Sequence, residues 1–257
     1  MAQHSNGYIL GFATAVCVVC SIFVSGAALS LKDQQIANAK LDLQKNVISV
    51  SGLKEGEITP SDVDTFFAKE SADRVELGYV DLKSGAVTDT ATVDKYKSEN
   101  KDACEELPAK ENIAKITCLP KYKEVYTVYK NNQVDRIILN VEGKGLWSTL
   151  YGFLALSKDG KTIQGLTFYK HAETPGLGGE VDNPKWKALW KGEQAFGANG
   201  PQIDIVKGTA PAGQSNDGKI DGLSGATLTS NGVESLLNFW LGSNGYGTYL
   251  NKLKGGR

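Results

Sequence analysis

The chain has 257 residues, with 28 Lys and Arg against 29 Asp and Glu for a formal net charge of −1, and only two histidines, His4 and His171. So few histidines exclude a histidine-rich metal site, and one histidine in the body of the chain argues against Ser-His-Asp or Cys-His catalysis. Both charge signs are mixed along the sequence and no basic cluster is interleaved with aromatics, so no nucleic-acid footprint is present and a borrowed cofactor is the expected source of chemistry.

From Gly7 to Leu31 there is no Asp, Glu, Lys or Arg, and the stretch exceeds the roughly 20 residues a helix needs to cross a bilayer. Residues 1–31 are therefore read as a single N-terminal transmembrane anchor. Ser25-Gly26-Ala27-Ala28 offers a small-residue cleavage region. Against cleavage, no basic residue precedes the apolar run, and the run is longer than a usual signal core. The span carries no ionisable group and so no ion path. Cys17 and Cys20 inside it are read as packing residues rather than a metal or redox pair. Charge alone gives no topology: Met1 to Tyr8 has no Lys or Arg, and Lys32 just beyond the span leans against a domain outside the cytoplasm.

About 225 residues follow, enough for one large domain or two small ones. Residues 32–53 read as a helical stalk with Ile36, Leu43, Val47 and Val50 on one face, closing at Ser51-Gly52 and docking by that face. Residues 54–123 are charged and weakly periodic, and short helices and loops are expected there. Within them Cys104 and Cys118 fit either a disulfide, which would persist only in an oxidising compartment, or two buried thiols.

Strand signals run through Glu124–Lys130, Arg136–Val141 and Leu150–Ser157. Lys158-Asp159-Gly160-Lys161 then turns the chain into Thr162–Tyr169 as a hairpin partner. Asn183-Pro184 caps a short helix bearing Trp186 and Trp190, and Gln202–Lys207 reads as another strand. Residues 124–257 are thus expected to form an α+β core, one antiparallel sheet with helices packed on it.

The densest signal is Asp221-Gly222-Leu223-Ser224-Gly225-Ala226-Thr227, running into Leu228-Thr229-Ser230-Asn231. Val233, Leu236, Leu237, Trp240 and Leu241 fall at helical spacing, so an amphipathic helix is expected from about Asn231, with Asn231 and Glu234 as a capping box. Its free N–H groups would face Thr227 and stabilise a phosphate there without a lysine or arginine. Gly225 and Ala226 leave room for a ligand to approach the backbone.

That segment resembles the flavinylation motif of the FMN-binding domain family, in which the last threonine is joined to the FMN phosphate by a phosphoester bond. Val18-Val19-Cys20-Ser21-Ile22, Gly145-Leu146-Trp147, Glu173-Thr174-Pro175-Gly176-Leu177-Gly178-Gly179-Glu180 and Ser224 to Val233 are similar to the C subunits of Na⁺-translocating NADH:quinone oxidoreductases. The resemblance implies covalent FMN on Thr227, with Ser224, Gly225, Ala226, Leu228 and Thr229 beside it. Leu146, Trp147, Glu173, Thr174, Gly176, Leu177 and Gly178 are expected around the ring. Trp147 would stack, and the glycines would let backbone approach it. Asp221 is either a recognition element for the flavin transferase or a turn aspartate. No catalytic residue and no metal ligand are expected; His171 reads as a loop histidine. Glu173 and Glu180 read as solvated rather than as a paired acid and base.

The resemblance further implies a bacterial inner-membrane subunit with its bulk in the periplasm, flavinylated there by a Mg²⁺-dependent transferase that uses FAD. Its partners would be the other subunits of the complex. Electrons would pass between an intramembrane iron–sulfur centre and a second covalent FMN in a neighbouring subunit, with ubiquinone reduced downstream. Such a subunit is part of an enzyme and not catalytically complete alone. Two other readings remain: the homologous FMN-carrying subunit of an Rnf-type ferredoxin-linked complex, and a flavin-free periplasmic scaffold.

Overall fold

The computed structural model describes residues 5–100, 104–208 and 218–255, so His4 lies outside the described residues. Contacts divide the chain into two units, Met1–Leu43 and Gln44–Arg257. In the first unit one helix, α1 (Asn6–Ser51), contains a window of mean hydropathy 2.3 that buries none of its surface. It is long and apolar enough to cross a membrane, and Cys17 and Cys20 stand exposed along it. Anchor and stalk are thus one uninterrupted helix, whose final turns belong to the second unit. There Val47, Ile48 and Val50 are buried, whereas Ile36 stays exposed. The Arg136 guanidinium donates to the Val50 carbonyl at 3.4 Å, satisfying one of the orphan carbonyls that every helix end leaves.

After α1 come α2 (Pro60–Phe66), β1 (Arg74–Asp81), β2 (Val87–Thr88) and α3 (Thr90–Glu99). Thr59 and Asp62 form a reciprocal capping box at the start of α2. The expectation that 54–123 holds only short helices and loops is corrected by β1. That strand pairs with β3 (Tyr122–Lys130) along its whole length, from Arg74↔Tyr129 to Asp81↔Tyr122. No boundary therefore falls between 123 and 124. Cys104 and Cys118 form a disulfide with Cα atoms 5.3 Å apart, which settles the two readings of that pair.

The strands β3, β4 (Gln133–Lys144), β5 (Thr149–Ser157) and β6 (Ile163–Lys170) match the expected segments to within a few residues at each end. Together the six strands make an antiparallel sheet in the order β2-β1-β3-β4-β5-β6. A pleated strand turns alternate residues to opposite faces, so Ile137, Leu139 and Val141 of β4 lie with Leu154 and Leu156 of β5 in the main core. Ile138, Phe153 and Ala155 point the other way and are also buried. A sheet covered on both faces loses clean polar alternation.

The chain then forms a 3-10 turn (Gly178–Asp182), α4 (Pro184–Ala188) and the short strands β7 (Phe196–Gly197), β8 (Gly200–Pro201), β9 (Asp204–Val206) and β10 (Lys219–Asp221). As expected, the Asn183 side chain caps α4 and the helix bears Trp186, but it ends at Ala188, so Trp190 lies beyond it and packs edge-on against Trp186, ring centroids 5.3 Å apart. The expected strand at 202–207 is the three-residue β9, paired in parallel with β10. Last come α5 (Thr227–Leu241) and α6 (Gly247–Lys254). The five apolar positions picked out by spacing, Val233, Leu236, Leu237, Trp240 and Leu241, are all buried on the sheet core.

Candidate functional site

Helix α5 begins at Thr227, four residues before the expected start, and Ala226 precedes it without a side-chain cap. Asn231 and Glu234 are therefore no capping box. Instead Glu234 accepts the Ile205 N–H at 2.9 Å, and Asn238 exchanges two hydrogen bonds with the Ile203 backbone at 3.1 and 2.8 Å. The polar face of α5 thus fastens the β9 segment. Because the helix starts earlier, the N–H groups that lack intrahelical acceptors belong to Thr227, Leu228 and Thr229. The positive end of the helix dipole lies at Thr227 itself.

The segment leading into that helix is held from several sides. The Trp186 indole donates to the Asp221 carbonyl at 2.8 Å, and the Gly222 N–H donates to Val206 O at 2.9 Å. The Leu223 N–H donates to the Ser230 hydroxyl at 3.0 Å, which folds the turn back onto the helix. Gly225 closes the turn at φ +71°, a left-handed backbone that a side chain would strain. Beside it opens a cavity of about 480 Å³ lined by Val206, Lys207, Asp221, Ser224, Gly225 and Thr227, among others. Lys207 and Asp221 are the charged residues among those lining it. Nothing in the sequence singles out Lys207. It precedes Thr227 by 20 positions and reaches the cavity only because β9 pairs with β10.

Two loops with expected site residues meet the same helix end. Glu173, 5% exposed, accepts the N–H groups of Leu146, Trp147 and Ser148 at 3.2, 2.9 and 3.1 Å, and the Thr229 hydroxyl donates to it at 2.7 Å. One carboxylate therefore joins the β4–β5 loop, the loop after β6 and the first turn of α5. Gly178 is required at this junction: a Cβ there would stand 2.5 Å from the Thr229 hydroxyl and 2.8 Å from the carboxylate. The Glu173 N–H donates to His171 Nδ1 at 3.2 Å, which leaves the imidazole proton on Nε2, 2.8 Å from Asp182. His171 is thus an intermediate-exposure loop residue, and no cluster of metal-ligating side chains occurs among the described residues.

Glu173 is not the solvated carboxylate expected from its glycine-rich setting. Burial pushes its pKa up, but the Thr229 hydroxyl and the N–H groups of Ser148, Trp147 and Leu146 favour the anion more strongly and hold the pKa below the ordinary glutamate value. With the folded value below the unfolded one, the unfolded chain binds more protons between the two, so stability rises with pH across that window. The contribution is complete above the unfolded value and disappears as pH falls through the folded one. Thermal melts in acid are expected to show this slope in the native protein and to lose that part of it in Glu173→Gln; identical slopes would contradict the assignment.

The expected site residues divide into two sets. Ala226, Thr229, Glu173 and Gly178 are buried, the Thr229 and Glu173 side chains being occupied with one another. Leu146, Trp147, Thr174, Gly176, Leu177, Ser224, Gly225, Thr227 and Leu228 are open to solvent in whole or in part. Trp147 is 67% and Leu228 60% exposed, so Trp147 is not a core tryptophan. An exposed hydroxyl at a helix start, a lysine in the adjoining cavity and large apolar side chains on fixed loops fit the phosphate and flat ring of a flavin nucleotide.

Comparison with known proteins agrees with this geometry. Residues 145–242, which span both loops and α5, match the FMN-binding domain. Over 260 aligned residues the chain is 44% identical to the C subunit of the Na(+)-translocating NADH-quinone reductase of Pseudomonas aeruginosa, covering 99% of this chain and 98% of that protein. It is 43% identical to the corresponding protein of Yersinia pestis, covering 99% and 95%. The crystal structure of Shewanella oneidensis NqrC superimposes with a TM-score of 0.73 at 32% identity, over 85% of this chain and 99% of that one. The chain belongs to the NqrC family, the C subunits of Na⁺-translocating NADH-quinone reductases, and contains an FMN-binding domain.

Proposed function

We propose that this chain is the electron-transfer subunit of a Na⁺-translocating NADH:ubiquinone reductase and carries FMN as a phosphoester on Thr227. The observation that carries the reading is the exposed Thr227 hydroxyl at the first position of α5, beside a cavity that Lys207 lines. Bound FMN exchanges one or two electrons and supplies the redox chemistry. The residues do the rest. The N–H groups of Thr227, Leu228 and Thr229 and the Lys207 ammonium would hold the phosphate. Leu146, Trp147, Leu177 and Leu228 are the apolar side chains that would hold the ring, and Thr174 and Gly176 would offer it backbone. Ser224 and Gly225 keep the approach to Thr227 open. Thr227 is an attachment point and not a nucleophile in turnover.

In this reading a Mg²⁺-dependent transferase moves the FMN portion of FAD to the Thr227 oxygen, breaking the pyrophosphate bond and releasing AMP while the hydroxyl proton is lost, with Asp221 as part of what it recognises. The subunit then relays electrons between an intramembrane iron–sulfur centre and the FMN of a neighbouring subunit. Close similarity to NqrC proteins along almost the whole chain favours this complex over an Rnf-type one. Protein purified from its own membranes is expected to give a fluorescent flavin band on a denaturing gel and to co-purify with Na⁺-stimulated quinone reductase activity. Flavin freed by denaturation would contradict the linkage, and activity indifferent to Na⁺ would contradict the complex.

The same reading places the chain in the bacterial inner membrane with its bulk in the periplasm. The Cys104–Cys118 disulfide supports it, because such bonds persist in oxidising compartments. A protease added outside spheroplasts is expected to digest the domain while sparing cytoplasmic markers; protection of the domain until lysis would contradict this orientation.

A further inference from the structure

We infer that Glu173 is a positioning residue of the flavin site: its buried carboxylate fixes the Leu146–Ser148 loop to the first turn of α5 and so sets where Trp147 stands relative to Thr227. The inference deepens the proposal above and rests on it. The observation behind it is the set of donors. Oε1 accepts the N–H groups of Trp147 and Ser148, and Oε2 accepts the Leu146 N–H and the Thr229 hydroxyl. Three consecutive backbone donors converging on one anion form a nest, which holds a loop by its main chain and leaves its side chains free. That arrangement accounts for a tryptophan whose side chain is exposed while its main chain is held.

No cation lies within ion-pair distance of Glu173 among the described residues, so neutral donors alone satisfy its charge. A carboxylate is the acceptor-only group that can serve two donors on each oxygen at once. Glutamine, of the same length, has one acceptor oxygen, and its amide must face either the Trp147 and Ser148 N–H groups or the Leu146 N–H and the Thr229 hydroxyl. A hydroxyl can turn and accept; a backbone N–H cannot. Glu173→Gln therefore releases at least one of the three loop contacts while leaving Thr227, Ser224 and Asp221 untouched. Thr229→Val removes only the tie to the helix.

The test uses the full-length protein, flavinylated and purified, with flavin fluorescence as the readout. An indole close to an isoalloxazine quenches it, so the quench reports the placement of Trp147. Glu173→Gln is expected to keep covalent flavin and to raise its fluorescence severalfold. Thr229→Val should move it the same way, and Trp147→Ala should set the ceiling. In the double variant Glu173→Gln should add nothing to Trp147→Ala, because the two act through one contact. A merely structural role would lower the melting temperature without this non-additivity. Unchanged fluorescence in Glu173→Gln, or an effect that adds in full to Trp147→Ala, would overturn the inference while leaving the attachment at Thr227 intact. Native protein without covalent flavin would overturn the underlying proposal, and this inference with it.

Discussion

Replacing Thr227 by alanine is expected to give a folded, membrane-bound protein with no covalent flavin and no quinone reductase activity above background. The separation of fold from function follows from where the residue sits. Thr227 is exposed at the first position of α5, a position that alanine tolerates well, and its side chain is not among the buried core. Substitutions at such sites change stability by no more than about 0.5 kcal/mol. The hydroxyl, by contrast, is the atom on which the proposed linkage depends. Thr227→Ser keeps it and is expected to recover flavin. Flavin absorbance of the denatured, washed protein, read beside its thermal melt, checks both halves. Covalent flavin persisting in the alanine variant would move the attachment elsewhere; a collapsed melt would mean that Thr227 does structural work not visible in its contacts.

Trp240→Ala is expected to have the largest effect on stability. Trp240 is fully buried between α5 and the sheet, its indole N–H donates to the Glu142 carbonyl at 2.7 Å, and its ring meets those of Phe239 and Tyr246 at 5.3 and 5.6 Å. Truncating a buried tryptophan removes that transfer energy and leaves a cavity, about 3–5 kcal/mol together. That is a large part of the roughly 5–15 kcal/mol by which whole domains are stable. For a domain of this size the corresponding fall in melting temperature is roughly 6–20 °C. Trp147→Ala is the contrast: the same residue type, 67% exposed, should leave the melt within experimental error. Equal losses from the two substitutions would contradict the packing described for α5.

How much of this was legible in the sequence depended on whether the signal was local. The four strands β3 to β6, the Asn183 cap and the buried stripe of α5 follow from spacing alone, because each is set by neighbours within a few residues. The strand β1 was not legible. Arg74, Glu76 and Asp81 mix charge into it, and burial of the adjacent Tyr79 and Val80 breaks the alternation that would mark a strand. The start of α5 is masked because Asn231 and Glu234 have the spacing of a capping box, yet Glu234 with Asn238 faces the backbone of another segment. The flavin motif brought Thr227 next to a helix N-terminus but set the start four residues late, and neither Lys207 nor the part played by Glu173 could be read. Lys207 arrives through parallel pairing of two three-residue strands, and the partners of Glu173 are mostly backbone N–H groups, which look alike in any sequence.

The attachment of FMN to one named oxygen is the claim on which the account depends, and mass spectrometry of the peptide containing Thr227, from protein isolated out of its own membranes, addresses it most directly. That peptide is expected to carry the added mass of FMN less one water, with fragmentation assigning it to Thr227 rather than to Ser224, Thr229 or Ser230. A peptide of unmodified mass, or the same addition on another residue, would contradict it.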